Sequence, residues 1–374
     1  MDAVLSRTLS RPLSQALLDG TVIPAHPLAL TAGRRLDEGR QRALTRYYLD
    51  AGAGGLAVGV HTTQFAIHDP SVGLYEPVLA LAAEELDRAG GSADRAGGSA
   101  ERAGASVLRV AGVLGPTERA VREAQTAAGL GYHLALVAAS SWGDAPEAQI
   151  LAGLAAVGEV LPIFGFYLQP AVGGRPFGYP FWRRLFELAS VRAVKVAPFD
   201  RYRTLDVVRA LADSGRAGEV ALYTGNDDSI VTDLITPFDR GVRIVGGLLG
   251  QYAVWTSAAV ELHRRIRAVS ADPGADIPPI LLTIGAQLTE ANAAIFDAAH
   301  GFRGCIPGIH EVLCREGVLA GRWCLDPAEE LSPGQRAEID RVWDAYPHLR
   351  DPGELRRLFA EHGVADARAS QPHQ

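Results

Sequence analysis

Apolar and β-branched residues gather along this chain into short runs, each separated from the next by a segment with helical spacing. The runs are VIPA at 22–25, GLAVGV at 55–60, VLRVAGV at 107–113 and HLALVA at 133–138, then IFGFY at 163–167, VRAVKV at 191–196, VALYT at 220–224 and VRIVG at 242–246. Their nearly unbroken apolar character predicts strands buried on both faces, as in a parallel sheet covered by helices. Between them, residues 38–49 place Leu44, Tyr47 and Tyr48 on one helical face, with Gly52, Gly54 and Gly55 ending the helix. Residues 117–124 and 202–211 repeat the helical pattern. Eight strand-helix alternations predict a closed (β/α)8 TIM barrel over residues 21–270. In such a barrel the chemistry belongs at the C-terminal ends of the strands.

Three segments fall outside the alternation. Residues 1–20 form an N-terminal extension, and residues 271–374 a C-terminal helical region whose polar end, 367–374, is expected to be disordered. Within that region Ser332 is placed to cap a helix over 335–346, with Pro333 at its first position. Residues 88–105 repeat an Arg-Ala-Gly-Gly-Ser unit too poor in large apolar side chains to pack, so a mobile surface insertion is expected there.

Composition then narrows the function. The 374 residues are 48% hydrophobic and 21% charged, with a formal charge of −7 and a pI near 5.8. That balance offers no attraction to phosphate backbones or anionic membranes, so neither nucleic acid nor a membrane is the expected partner, and a small molecule is. No apolar segment approaches the length of a membrane span, and the N-terminus lacks the apolar core of an export signal, which predicts a cytoplasmic protein. Cys305, Cys314 and Cys324 match no zinc spacing, and their odd number argues against a disulfide framework, so they read as free thiols.

One residue breaks the apolar pattern. Lys195 stands in the middle of VRAVKVA, near the end of the sixth strand, on the same side as Ala193 and Ala197. If that side faces the barrel interior, desolvation lowers the lysine pKa and makes a nucleophile able to form an imine with a carbonyl. The alternative is a lysine that snorkels to the surface at a strand end. Tyr167 ends the neighbouring fifth strand, where a phenol relays protons to and from a carbinolamine, or simply packs with its hydroxyl wet. After the second strand, His61-Thr62-Thr63-Gln64 offers hydroxyls and N–H groups for an anion, or plain helix capping. Gly225, in TGNDD at 224–228, permits close backbone approach, while Asp227 and Asp228 read as caps of the next helix. Gly246-Gly247 admits substrate at the eighth strand or turns the chain. His26, His61 and His68 have no ligand-like arrangement, there is no HExxH motif, and the expected requirement is for neither metal nor cofactor.

In this order, HTT, Tyr167-x-x-Pro170, the lysine of VRAVKVA, TGNDD, Gly-Gly and RGCIPGIHEVL at 303–313 resemble the dihydrodipicolinate synthase/N-acetylneuraminate lyase family of class I aldolases over residues 20–320. The resemblance implies an imine between Lys195 and a pyruvate-type 2-oxo acid. It makes Tyr167 the proton shuttle, puts Thr62 in its relay and has the Thr63 amide hold the substrate carboxylate. It also implies a homotetramer or dimer. There are departures. The family's Thr-Thr-Gly-Glu is Thr62-Thr63-Gln64-Phe65 here, Val172 stands where the synthases carry an arginine, and Ser140-Ser141-Trp142 replaces their paired tyrosines. Arg175, three residues on from Val172, either substitutes for that arginine or faces solvent. Trp142, Phe65 and Val172 suggest a less charged, more aromatic pocket, unlike that of a true dihydrodipicolinate synthase. The expectation is therefore a Schiff-base lyase, aldolase or dehydratase, acting on a 2-oxo acid. The alternative is a non-catalytic barrel that binds a 2-oxo acid or sugar acid as a sensor or structural subunit.

Overall fold

A computed structural model of the chain describes residues 9–95, 107–272 and 274–350, together with residues 357 and 361. Eight parallel strands form one sheet: β1 (Val22–Pro24), β2 (Gly55–Val58), β3 (Leu108–Val113), β4 (Leu134–Ala138), β5 (Ile163–Leu168), β6 (Val191–Ala197), β7 (Ala221–Thr224) and β8 (Ile244–Leu249). The sheet runs β1-β8-β7-β6-β5-β4-β3-β2. A parallel bridge between Ala25 and Ala57 joins its two ends, closing a (β/α)8 barrel.

Alternation along the strands divides the core in two. Ile23, Ala57, Leu108, Val110, Leu134, Leu136, Phe164, Phe166, Ala193, Ala197, Ala221, Tyr223 and Leu248 meet inside the barrel. The opposite faces of the same strands, with Val58, Val113, Val137, Tyr167, Val194, Val196 and Leu222 among them, pack against the surrounding helices. Those helices are α2 (Glu38–Asp50), α3 (Tyr75–Arg95), α4 (Thr117–Gly129), α5 (Glu147–Gly158), α6 (Tyr179–Leu185), α7 (Arg201–Ser214), α8 (Ile230–Ile235) and α9 (Thr256–Ser270), with α10 (Pro279–Ile295), α11 (Cys305–Arg315) and α12 (Gln335–Ala345) beyond the last strand, while α1 (Arg11–Asp19) lies at one end of the barrel.

The N-terminal extension has a structural role. Ser10 caps α1 with Pro12 in its first turn, and the helix turns Leu13 and Leu17 into the barrel's interior cluster. Tyr223 completes the plug by donating its hydroxyl to Leu17 O at 2.9 Å. One end of the barrel is thereby filled, and the other is left for chemistry.

Two local expectations are corrected. Residues 88–95, the first part of the repetitive segment, continue α3 as helix, and the remainder of 88–105 lies outside the described residues. α12 begins after Gly334, not Ser332, whose hydroxyl instead bonds the Asp297 carboxylate. No helix among the described residues is long and apolar enough to cross a membrane.

Candidate active site

Lys195 is the single lysine among the chain's 36 Lys and Arg residues. Alternation on β6 turns it inward between Ala193 and Ala197, and it is 8% exposed. Register pairs it with Phe166 on β5 and Tyr223 on β7. Its Nζ lies 4.3 Å from the centre of the Phe166 ring. Burial pulls its pKa down to about 8, a fall opposed by the charges of Asp227 and Cys305. The chain keeps its one lysine ammonium where it is readily deprotonated.

The strand end next to it is shaped to let the side chain pass. Gly225 N–H donates to Val196 O at 2.8 Å. A Cβ on Gly225 would sit 2.6 Å from Lys195 Cε and 2.7 Å from Ala197 Cβ, closer than carbons approach. Asn226, the next residue, is turned outward: its amide donates to Thr204 Oγ1 at 3.2 Å and Asp233 Oδ2 at 3.0 Å, and it accepts from Phe199 N at 3.0 Å. Asp227 follows on the cavity side, with Oδ1 accepting from Gln251 N at 3.2 Å. Ser229, not either aspartate, is the residue at the start of α8.

The cavity at this end of the barrel is open to solvent at its mouth. Lys195, Asp227, His61, Thr62 and Cys305 supply its titratable and hydroxyl groups, and Phe166, Val172, Phe199, Phe296 and Phe302 much of its apolar wall. Thr62 Oγ1 donates to His26 O at 3.3 Å. Burial and the Lys195 charge lower the His61 pKa to about 4, leaving a neutral imidazole. Beyond the Phe199–Phe302 pair, whose rings meet edge to face at 5.6 Å, a second chamber is lined by Asp228, Thr289 and Asn292. Thr289 and Asn292 on α10 hold the carbonyls of Asp228 and Asp227 at 2.9 and 2.7 Å.

Lys195, Thr62, Gly225 and Val172 thus come together, and five expected site groups do not join them. Tyr167 has the parity of the helix-facing residues: fully buried outside the barrel, it donates to Phe177 O at 3.0 Å and accepts from Phe177 N at 3.1 Å. The Thr63 amide already bonds Val60 O at 2.9 Å, and its hydroxyl is held by His26 O, Gly59 N and Val60 N. Gly247 faces outward, where a Cβ would strike Tyr252 at 2.6 Å. Arg175 binds the carbonyls of Gly143 and Ala145 at 3.1 and 2.8 Å. Trp142 is buried against helices and donates to Thr117 at 3.1 Å. His26 and His68 are buried: His26 bonds Pro27 O and Thr45, and His68 bonds Gly59 O and pairs with Glu123. Sequence reasoning passed over Phe166, His61 and Asp227 as site residues. The strict alternation of Phe164, Phe166 and Leu168 was the available signal for the first.

The chain is a (β/α)8 barrel with one buried lysine at the open end of its sixth strand, and solved structures share the barrel. No family model matches the chain's sequence, and a search of curated proteins finds no relative. Three of the similar structures match across nearly their whole length. N-acetylneuraminate lyase from Fusobacterium nucleatum, complexed with pyruvate, is 19% identical with a TM-score of 0.68, over 89% of this chain and 99% of that one. A putative dihydrodipicolinate synthetase from Pseudomonas aeruginosa is 18% identical with a TM-score of 0.67, over 88% and 99%. YagE of E. coli K12, a prophage protein of the dihydrodipicolinic acid synthase family in complex with pyruvate, is 17% identical with a TM-score of 0.69, over 90% and 99%. At these identities the likeness is one of fold, and it is the fold of the family the motifs resemble.

Proposed function

We propose that the chain is a divergent member of the dihydrodipicolinate synthase/N-acetylneuraminate lyase family and acts as a class I aldolase-type lyase on a 2-oxo acid, through an imine on Lys195. The observation that carries this reading is the sole lysine, buried at the open end of β6 in a cavity that Asp227 also lines, with its pKa lowered to about 8. A neutral amine attacks the 2-oxo carbon, water leaves, and the iminium draws electrons from the neighbouring bond so that it breaks or forms. Thr62 lines the cavity with Lys195, the one Lys or Arg side chain that lines it among the described residues. The pyruvate complexes of the similar barrels agree with a substrate of this size and charge.

The test is Lys195→Ala assayed with a panel of 2-oxo acids and aldehydes. Loss of all turnover with an unchanged unfolding midpoint is expected, and substantial residual turnover would remove Lys195 from the mechanism. The position of Tyr167 favours a second reading, a barrel that binds 2-oxo acids without transforming them. It is distinguished by thermal stabilisation with a 2-oxo acid in the absence of any covalent adduct.

A further inference from the structure

An imine reaction moves protons twice, to the departing hydroxyl and from the neighbouring carbon, and the ring that faces Lys195 Nζ at 4.3 Å belongs to Phe166, which exchanges none. With Tyr167 outside the barrel, the described titratable side chains lining the cavity with Lys195 are His61, Asp227 and Cys305. Resting on the imine reading above, we infer that Asp227 is the general acid and base for that imine, moving this task from a phenol on β5 to a carboxylate on the loop after β7.

Geometry selects Asp227 among the three. The Lys195 shaft crosses Gly225, and Asp227 is the next side chain of that loop on the cavity side because Asn226 is tied outward by three bonds. Its backbone is braced from α10 by Asn292, and Gln251 N–H fixes one carboxylate oxygen, while the other accepts no bond from another described residue. The charged and titratable groups that face it are Lys195 from β6, Cys305 from α11, Tyr252 from the segment after β8 and Asp228 beside it. Burial raises the Asp227 pKa to about 7, partly offset by Lys195, so both its forms are populated near neutrality, as an acid that must become a base requires. The other candidates fit less well. His61 is lowered to about 4 and is a weak base, and burial drives the Cys305 thiol well above its ordinary range, leaving it protonated.

The protons balance. Neutral Lys195 adds to the 2-oxo carbon, and one of its amine protons passes to the former carbonyl oxygen, which gives a neutral carbinolamine. Protonated Asp227 gives its proton to the carbinolamine hydroxyl, the C–O bond breaks, and water leaves with the iminium and an Asp227 carboxylate behind. That carboxylate takes a proton from C3, the C–H electrons form the C=C bond of the enamine, and Asp227 is an acid again.

The experiment follows exchange of the pyruvate methyl protons with deuterium oxide by NMR, beside borohydride trapping on Lys195. In Asp227→Asn the expected result is exchange slowed by about a hundredfold or more, with an adduct on Lys195 still formed on long incubation, and partial recovery of exchange in Asp227→Glu. Tyr167→Phe is expected to exchange within about twofold of the unchanged protein, far from the roughly hundredfold loss that removing a general acid or base brings. Exchange at the original rate in Asp227→Asn, or its loss in His61→Gln alone, would overturn the assignment while leaving the imine standing. Failure of the unchanged protein to form any adduct would instead overturn the imine reading itself.

Discussion

Gly225→Ala probes the packing that lets Lys195 reach the cavity. Gly225 does not occupy the left-handed region, so alanine meets no backbone penalty and the effect is steric. The added Cβ would lie 2.6 Å from Lys195 Cε, 3.0 Å from Lys195 Cγ and 2.7 Å from Ala197 Cβ. Carbon atoms rest at about 3.5–4.0 Å, so roughly an ångström must be found. The lysine shaft swings aside readily, but Ala197 Cβ moves only with β6 itself. Overpacking of this kind costs about 1–3 kcal/mol, read as a lowered urea midpoint at constant slope. A lysine displaced by about an ångström loses roughly a hundredfold in rate, read as slower borohydride trapping with pyruvate. In the Lys195→Ala background the clash with Ala197 remains while that with Lys195 goes, so part of the destabilisation should vanish, a coupling of about 0.5–3 kcal/mol. Gly225→Ala with unchanged stability and trapping rate would refute this packing of Lys195.

Three other outcomes are expected. Tyr167→Phe removes a buried hydroxyl from both polar groups of Phe177 and should cost about 1–3 kcal/mol in urea unfolding, with imine trapping unaffected. Asn226→Ala strips the loop of its bonds to Thr204, Asp233 and Phe199 and should both destabilise the protein by a similar amount, about 1–3 kcal/mol, and slow trapping by misplacing Asp227. Because burial lowers the folded-state pKa of Lys195, its neutral form gains as pH rises through about 8, so the initial trapping rate should climb through that pH and level above it, whereas an exposed lysine would climb until well past pH 9.

The barrel was legible because its strands are buried on both faces and so write themselves as apolar runs. Lys195 was legible for the same reason, its alternation with Ala193 and Ala197 being local. Tyr167 was not, because a Tyr-x-x-Pro spacing says nothing of which strand face looks inward. Only the pairing of Phe166 with Lys195 across β5 and β6 decides that, and it is a contact between residues far apart in sequence. Asp227 was hidden differently. An acidic pair before a helix has the look of a cap, and its inward turn depends on Asn226 bonding α7 and Asp233. The family resemblance brought Arg175 and Trp142 toward the cavity, yet each has nearer partners, carbonyls for the guanidinium and Thr117 for the indole.

The central claim is an imine on Lys195, and the chain makes it unusually clean to test because no other lysine competes. The protein is incubated with pyruvate and sodium borohydride, then digested for peptide mass spectrometry. One reduced adduct is expected, on the peptide carrying Lys195 and absent from Lys195→Ala. An unmodified Lys195 peptide with pyruvate and with larger 2-oxo acids alike would contradict it.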